Sequence, residues 1–349
     1  MMKKRDFTMA WRPLALLGAL LLGGCVEVTE APGEHVGYTG PTRPVALDAG
    51  NAGPVLARAW ALLDGVSVDA PAWLSDVPVA AAGGGSAQAA PLPGPLVLLR
   101  RALGRLPGPG TGAGPVTAPL SRDWHACVGG GGYYWEADQA FPGEVNAGDR
   151  YVLEFGGCRE DGGVLDGMVI LDIDYADGLL GSDDYRIEGR ADFVALRFTD
   201  SPSGISSLMD GVLTFSEQAV GGDWRSRLSG ERLLLRIGAE QYRYSDFVFL
   251  AAEDPLGWTR AADFVLDATD LGGRIRVTTL DPFLFDPLDA GRPWRGALEV
   301  TGAGGAWLQL VAESDARHIS LWWDLPPMDG IADGTATLNW QDLPAWHPF

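Results

Sequence analysis

Lysine is all but missing from this 349-residue sequence: Lys3 and Lys4 are the only two, and arginine supplies every other fixed cation. That excludes a Schiff-base lysine, a phosphate-loop lysine and a lysine general base from all but the first residues. Basic charge is scarce as well, with 26 Lys+Arg against 46 Asp+Glu and a formal net charge of -20, so nucleic acid is not bound by charge. The 4 histidines and 3 cysteines are too few and too scattered for a four-ligand zinc cage. No Gly-x-Ser-x-Gly elbow occurs, and His35, His125, His318 and His347 have no local partners that mark a catalytic triad. What is abundant is glycine (48), proline (24) and apolar residues (46%), a composition with a sizeable core but without long helical bundles.

The N-terminus carries an address. Lys3, Lys4 and Arg5 form a basic start, Leu14 to Leu22 an apolar core, and Gly23, Gly24 and Cys25 the small residues that signal peptidase requires. The core is shorter than the roughly 20 apolar residues of a membrane span. Leu22-Gly23-Gly24-Cys25 resembles the lipobox of bacterial lipoproteins, and the resemblance implies cleavage before Cys25 and acylation of that cysteine. Two or more acyl chains anchor a protein stably, so the expected first partner is a membrane. Val26 follows where aspartate resembles an inner-membrane retention signal, which implies outer-membrane sorting. Removing residues 1–24 leaves 22 cationic against 45 acidic side chains, a net of -23.

Residues 25–120 form an Ala/Gly/Pro-rich linker, expected to be partly disordered, with short helices. One helix is predicted from Pro54 to Gly65 and a second from Pro95 to Leu106. In the second, Leu96, Leu99, Leu103 and Leu106 share one face, and Arg100, Arg101 and Arg105 share the other. An anionic leaflet would attract that arginine face. Packing of the leucine face on the main domain is the preferred reading.

From residue 121 to 349 the period becomes two. Tyr151, Leu153 and Phe155 alternate with more polar neighbours, as do Val169, Leu171, Ile173 and Tyr175. About a dozen such runs, separated by Gly, Asp and Pro, predict a mainly β domain: an antiparallel, strongly twisted or curled sheet, barrel-like or a sandwich. Four segments repeat the order apolar residue, charge, glycine, strand, around Asp166-Gly167, Asp210-Gly211, Arg295-Gly296 and Asp333-Gly334. They read as turn chemistry, the glycine reversing the chain ahead of each strand. Gly273 to Leu343, with its Pro293-x-x-Gly296-x-Leu298-x-Val300-x-Gly302 core, resembles the C-terminal part of uncharacterised β-rich proteobacterial lipoproteins. An aspartate-glycine run in those relatives implies calcium, but here Leu325 to Met328 interrupt it, and no activity follows.

With Cys25 assigned to lipid, Cys127 and Cys158 are expected to pair in an exported chain. Trp124, His125, Tyr133, Tyr134, Trp135, Phe141, Tyr151 and Phe155 surround them, read as core under a disulfide ahead of a sugar-stacking surface. Asp172, Asp174 and Asp177 are the weak candidates for a Ca2+ site, and their spacing misses the EF-hand pattern, so no metal and no cofactor is expected. The chain therefore reads as a noncatalytic, lipid-anchored envelope protein with a scaffold or binding role toward an unknown partner, an envelope component or another protein. The alternatives are a carrier holding an apolar ligand under the Leu96 to Leu106 helix, and a glycan-active enzyme with paired carboxylates.

Overall fold

The computed structural model describes residues 35–64, 95–106, 121–139, 144–160, 162–255, 257–286 and 289–348. Within them one antiparallel sheet of fourteen strands follows the chain without a crossover. Its strands are β1 (Ser121–Ala126), β2 (Gly132–Asp138), β3 (Arg150–Glu160), β4 (Gly163–Gly178), β5 (Asp184–Asp200), β6 (Ser206–Val220) and β7 (Asp223–Ile237). They continue as β8 (Glu240–Asp254), β9 (Gly257–Ala268), β10 (Gly273–Asp286), β11 (Asp289–Thr301), β12 (Trp307–Ala312), β13 (His318–Asp324) and β14 (Gly334–Asn339). β1 pairs only with β2 and β14 only with β13, so the sheet is open.

Alternation dictates which face is buried. Tyr151, Leu153, Leu171, Phe193, Phe215 and Leu266 all point to one face and join a single apolar core. Two helices fill that face, α1 (Ala52–Asp64) and α2 (Pro95–Leu103). α1 starts two residues ahead of Pro54, where the Asp48 carboxylate accepts the Gly50 and Asn51 N–H groups. Every α1 residue from Ala52 to Leu63 is buried except Pro54, Arg58 and Ala61. Trp60 packs edge-on to Phe283 of β10 at 4.6 Å and against Trp340 of the C-terminal 3₁₀ turn (Trp340–Ala345) at 4.7 Å. Arg58 of α1 meets Asp270 at 2.6 Å, between β9 and β10. Ahead of α1 the chain is stitched to the sheet: Val45 N–H donates to the Arg274 carbonyl at 2.8 Å, and Ala303 N–H to the Val45 carbonyl at 2.7 Å.

Both faces of α2 are engaged. Leu96, Leu98, Leu99 and Leu103 are buried, and the arginines also meet sheet side chains rather than facing a leaflet. Arg100 stacks on Trp224, Arg101 lies over Phe198, and Arg105 lies over Tyr133 and Phe155.

Long strands cannot stay flat against two helices, and the ladder breaks where it bends. Register shifts occur at Phe155/Cys158, Asp166/Met168, Ile173/Tyr175, Phe193/Leu196 and Ser245/Val248. Three of the four charge-glycine segments are these mid-strand irregularities and not turns. Gly167 and Gly211 have φ of +104° and +128° inside β4 and β6, and Gly296 shares the feature in β11. A Cβ on Gly167 would stand 2.5 Å from the Ala195 carbonyl oxygen, and one on Gly211 2.8 Å from that of Arg232. The preceding aspartates close the neighbouring bulges: Asp166 accepts the Gly157 N–H at 2.6 Å, and Asp210 accepts the Ala195 N–H at 3.0 Å. Only Gly334 opens its strand as the turn reading requires. A bulge also corrects the period of β4. Val169, Leu171 and Ile173 face the core, whereas Tyr175, beyond the extra residue Asp174, is turned out under Arg186 and is 40% exposed.

Candidate functional site

α2 lies against β5, β6 and β7 through its arginines, and there the inward rows of those strands are not wholly apolar. In β6, Leu213, Phe215 and Ala219 point to the core, and Glu217 occupies the same row. An isolated buried carboxylate is costly, so it must be paired. Its Oε2 accepts from Arg100 Nε at 3.1 Å and its Oε1 from the Tyr185 hydroxyl. The Arg100 guanidinium lies 3.9 Å above the Trp224 ring. Burial and the adjacent Glu217 carboxylate push the Tyr185 hydroxyl well above its ordinary pKa, so it stays a donor.

This group forms part of the wall of a cleft of about 640 Å3. Its apolar wall comes from Leu103 and Leu106 at the end of α2, Val145 before β3, and Ala176, Leu179, Leu180 and Ile187 of the β4–β5 hairpin, and Glu144, Asn146, Asp177 and Arg186 add polar groups. The volume falls in the roughly 300–1,000 Å3 range of small-molecule sites, and the lining mixes apolar surface with a few polar groups. By contrast, the void between α1, α2 and β7 to β9 measures about 20 Å3 and holds a water at most.

The disulfide Cys127–Cys158 joins the β1–β2 turn to β3. α2 reaches it through Arg105, whose Nη2 lies 4.0 Å from Cys158 Sγ and is paired with Glu160. The aromatic residues around it divide by face. Tyr151 and Phe155 are core, and Tyr133 and Trp135 pack partly buried beside them. Trp124 and Tyr134 face out, 51% and 41% exposed, with Arg122 over the Tyr134 ring at 4.5 Å. His125 is exposed and stacks on Tyr133 at 5.2 Å. Phe141 lies outside the described residues.

On the opposite face of the sheet His35 sits between two acids. Its Nδ1 is 2.9 Å from Asp210 Oδ1 and its Nε2 3.7 Å from Asp192 Oδ1. Burial raises the Asp192 pKa, offset in part by His35 and Arg190. Asp210 is buried and Asp192 half-buried, and neither lines the cleft.

The other expected site residues do not converge. Asp172 bonds to Arg150 at 2.5 Å, Asp174 is the β4 bulge residue, and Asp177 stands opposite Arg186 in the β4–β5 ladder. His318 binds Asp315, whose carboxyl that ring and the Arg317 and His318 N–H groups hold well below the usual range. His347 contacts the Ala49 carbonyl. Cys25 lies outside the described residues. Arg100 was legible only as part of a basic helix face. Glu217 carried the signal that could have located the cleft, an acid in an inward row of a strand. Comparison with known protein families, with curated proteins and with solved structures finds no match.

Proposed function

We propose that this is a lipid-anchored protein of the cell envelope, held through Cys25 and sorted to the outer membrane, with a noncatalytic binding role. Two features of the sequence support the anchor: the basic start with its short apolar core, and the small residues leading to Cys25. The Cys127–Cys158 bridge suits an oxidising compartment. The observation that carries the binding role is the way the sheet is filled. Its inner face is occupied by α1, α2 and the C-terminal turn, and the buried acid of the cleft at the end of α2, Glu217, is held by Arg100 and Tyr185. We read the architecture as an open, curled sheet wrapped on its helices, in preference to a two-layer sandwich, because α1 is covered on nearly every side. Asp192 and Asp210, the acids that converge on His35, lie on the outer face and do not favour the glycan-active alternative.

The test is fractionation with intact mass of the N-terminal peptide. Wild-type chain is expected in the outer-membrane fraction, beginning at an acylated Cys25, and Cys25→Ser is expected to lose both modification and membrane association. Unmodified wild-type protein in the soluble fraction would refute the anchor. A second reading, a carrier of an apolar ligand, is favoured by one observation, the 640 Å3 cleft with its leucine-rich walls.

A further inference from the structure

We propose that the free edge of β14 binds an extended segment of a partner protein, uncharged along its middle and basic at the end beside Asp329 and Asp333. The inference rests on the reading of a noncatalytic binding role and names its surface and its partner. An open antiparallel sheet has two edges, here β1 and β14, and an unguarded edge is a template for another chain. Proteins guard such edges with charge, proline or a bulge. β1 carries Arg122, Asp123 and His125. β14 reads Gly-Thr-Ala-Thr-Leu-Asn, without charge or proline, and it pairs with β13 from Gly334 to Asn339 without a register shift. The ladder decides which backbone groups are free. The His318 carbonyl accepts the Glu313 N–H at 3.1 Å, on the β12 side, and Trp340 N–H donates to the Arg317 carbonyl at 3.4 Å. Alternation then turns the N–H and C=O groups of Ala336 and Leu338 to β13, and those of Thr335, Thr337 and Asn339 to the open side. Among the described residues those three have no backbone partner there. Nor does the chain fold back along the edge after Asn339, because Trp340 is buried against Trp60.

Charge selects the occupant. The β13–β14 loop holds Asp329 and Asp333, both exposed, behind the buried Asp324. Asp329 accepts the Ile331 N–H at 2.9 Å and Asp333 the Leu325 N–H at 2.7 Å, and neither meets a cation among the described residues. In the same loop Ile331 is 70% and Met328 37% exposed, an apolar landing next to the acids. The other end of β14 is mixed, with Asp342, Asp315 and Glu313 against Arg317 and His318. A second copy of a chain at net -20 is repelled from such an edge, and a basic segment is drawn to it. Main-chain bonds to an added strand then supply affinity, and the flanking side chains supply choice.

The test is fluorescence anisotropy of labelled peptides on the full-length chain carrying Cys25→Ser, at low salt with the disulfide oxidised. Two probes share the core Thr-Val-Thr-Val-Thr and end in Lys-Lys or Glu-Glu, and a third is the Lys-Lys peptide with its core amides N-methylated. The Lys-Lys peptide is expected to bind one to one, about tenfold tighter than the Glu-Glu peptide, and N-methylation is expected to abolish binding whatever any variant does to folding. Thr337→Pro removes an open-side N–H without removing a bond to β13, and is expected to weaken the Lys-Lys peptide about tenfold. Thr337→Val also loses the hydroxyl shared with Ser320 but keeps the N–H, and is expected to bind as wild type. Asp329→Asn can still accept the Ile331 N–H without the charge, and is expected to narrow the gap between the two charged peptides. No saturable binding of the Lys-Lys peptide, equal binding of the Glu-Glu peptide, or affinity unchanged by N-methylation or by Thr337→Pro would each overturn the proposal. So would a concentration-dependent dimer in sedimentation that Thr337→Pro disperses, since a second copy would then hold the edge. Because this protein carries no anchor, such a failure leaves the fractionation result standing.

Discussion

Asp192 is held against its own chemistry. Its Oδ1 is buried without a hydrogen bond, His35 is 3.7 Å away, and burial raises the carboxyl pKa. A raised folded-state pKa means the folded chain binds this proton more tightly than the unfolded chain. The stability tied to the neutral form is therefore fully present below the ordinary carboxylate pKa of about 3.9, and is lost as pH rises through the raised value. Asp192→Asn keeps that position neutral at every pH. Denaturant unfolding at pH 7.5 is expected to find the variant more stable than wild type by on the order of 1 kcal/mol, with the gain gone at pH 3.5. A less stable variant at pH 7.5 would show that the His35 ion pair outweighs the burial. The sequence displayed His35 and Asp192 but not their meeting, because the 156 intervening positions carry no periodic signal that pairs them. Cys127 and Cys158 were legible, since reading Cys25 as a lipidation site leaves a single pairing among the three cysteines.

Elements were legible where their period ran unbroken. Tyr151, Leu153 and Phe155 face the core as the alternation requires, because β2 and β3 stay in register from Gly132 to Asp138. Tyr175 does not, because a bulge adds a residue and moves every later side chain to the other face. The same physics hid the meaning of Asp166-Gly167 and Asp210-Gly211. A glycine with positive φ serves a turn or a bulge equally, and only the ladder distinguishes them. The β1–β2 hairpin is the element most dependent on a covalent tie. It sits at the open edge with exposed Arg122, Trp124 and His125, and Cys127–Cys158 fixes its turn to β3. Cys127→Ala with Cys158→Ala is expected to cost about 2–4 kcal/mol in denaturant unfolding. An unchanged midpoint would mean that the aromatic contacts with β3 hold the hairpin by themselves.

At the scale of the molecule, an open sheet of fourteen strands packs on helices from a stretch whose composition resembles a linker. Ala, Gly and Pro dominate residues 26–120, so local composition did not disclose that α1 and α2 supply core. The apolar faces were visible, and their destination was not, because a leucine stripe packs as well on a sheet as on a lipid. The arginines settle it by their partners: Arg100, Arg101 and Arg105 each lie over an aromatic ring of the sheet, and two of them pair with acids there. This burial leaves the cleft at the end of α2 as a place where the described core meets solvent with both charge and apolar wall. The most direct measurement is amide hydrogen exchange on Pro95–Leu103 in the full-length protein. The account predicts protection comparable to that of β5 and β6, with opening only as the sheet itself opens. Exchange at the rate of an isolated nine-residue helix, with the strands still protected, would contradict it and place α2 on the surface.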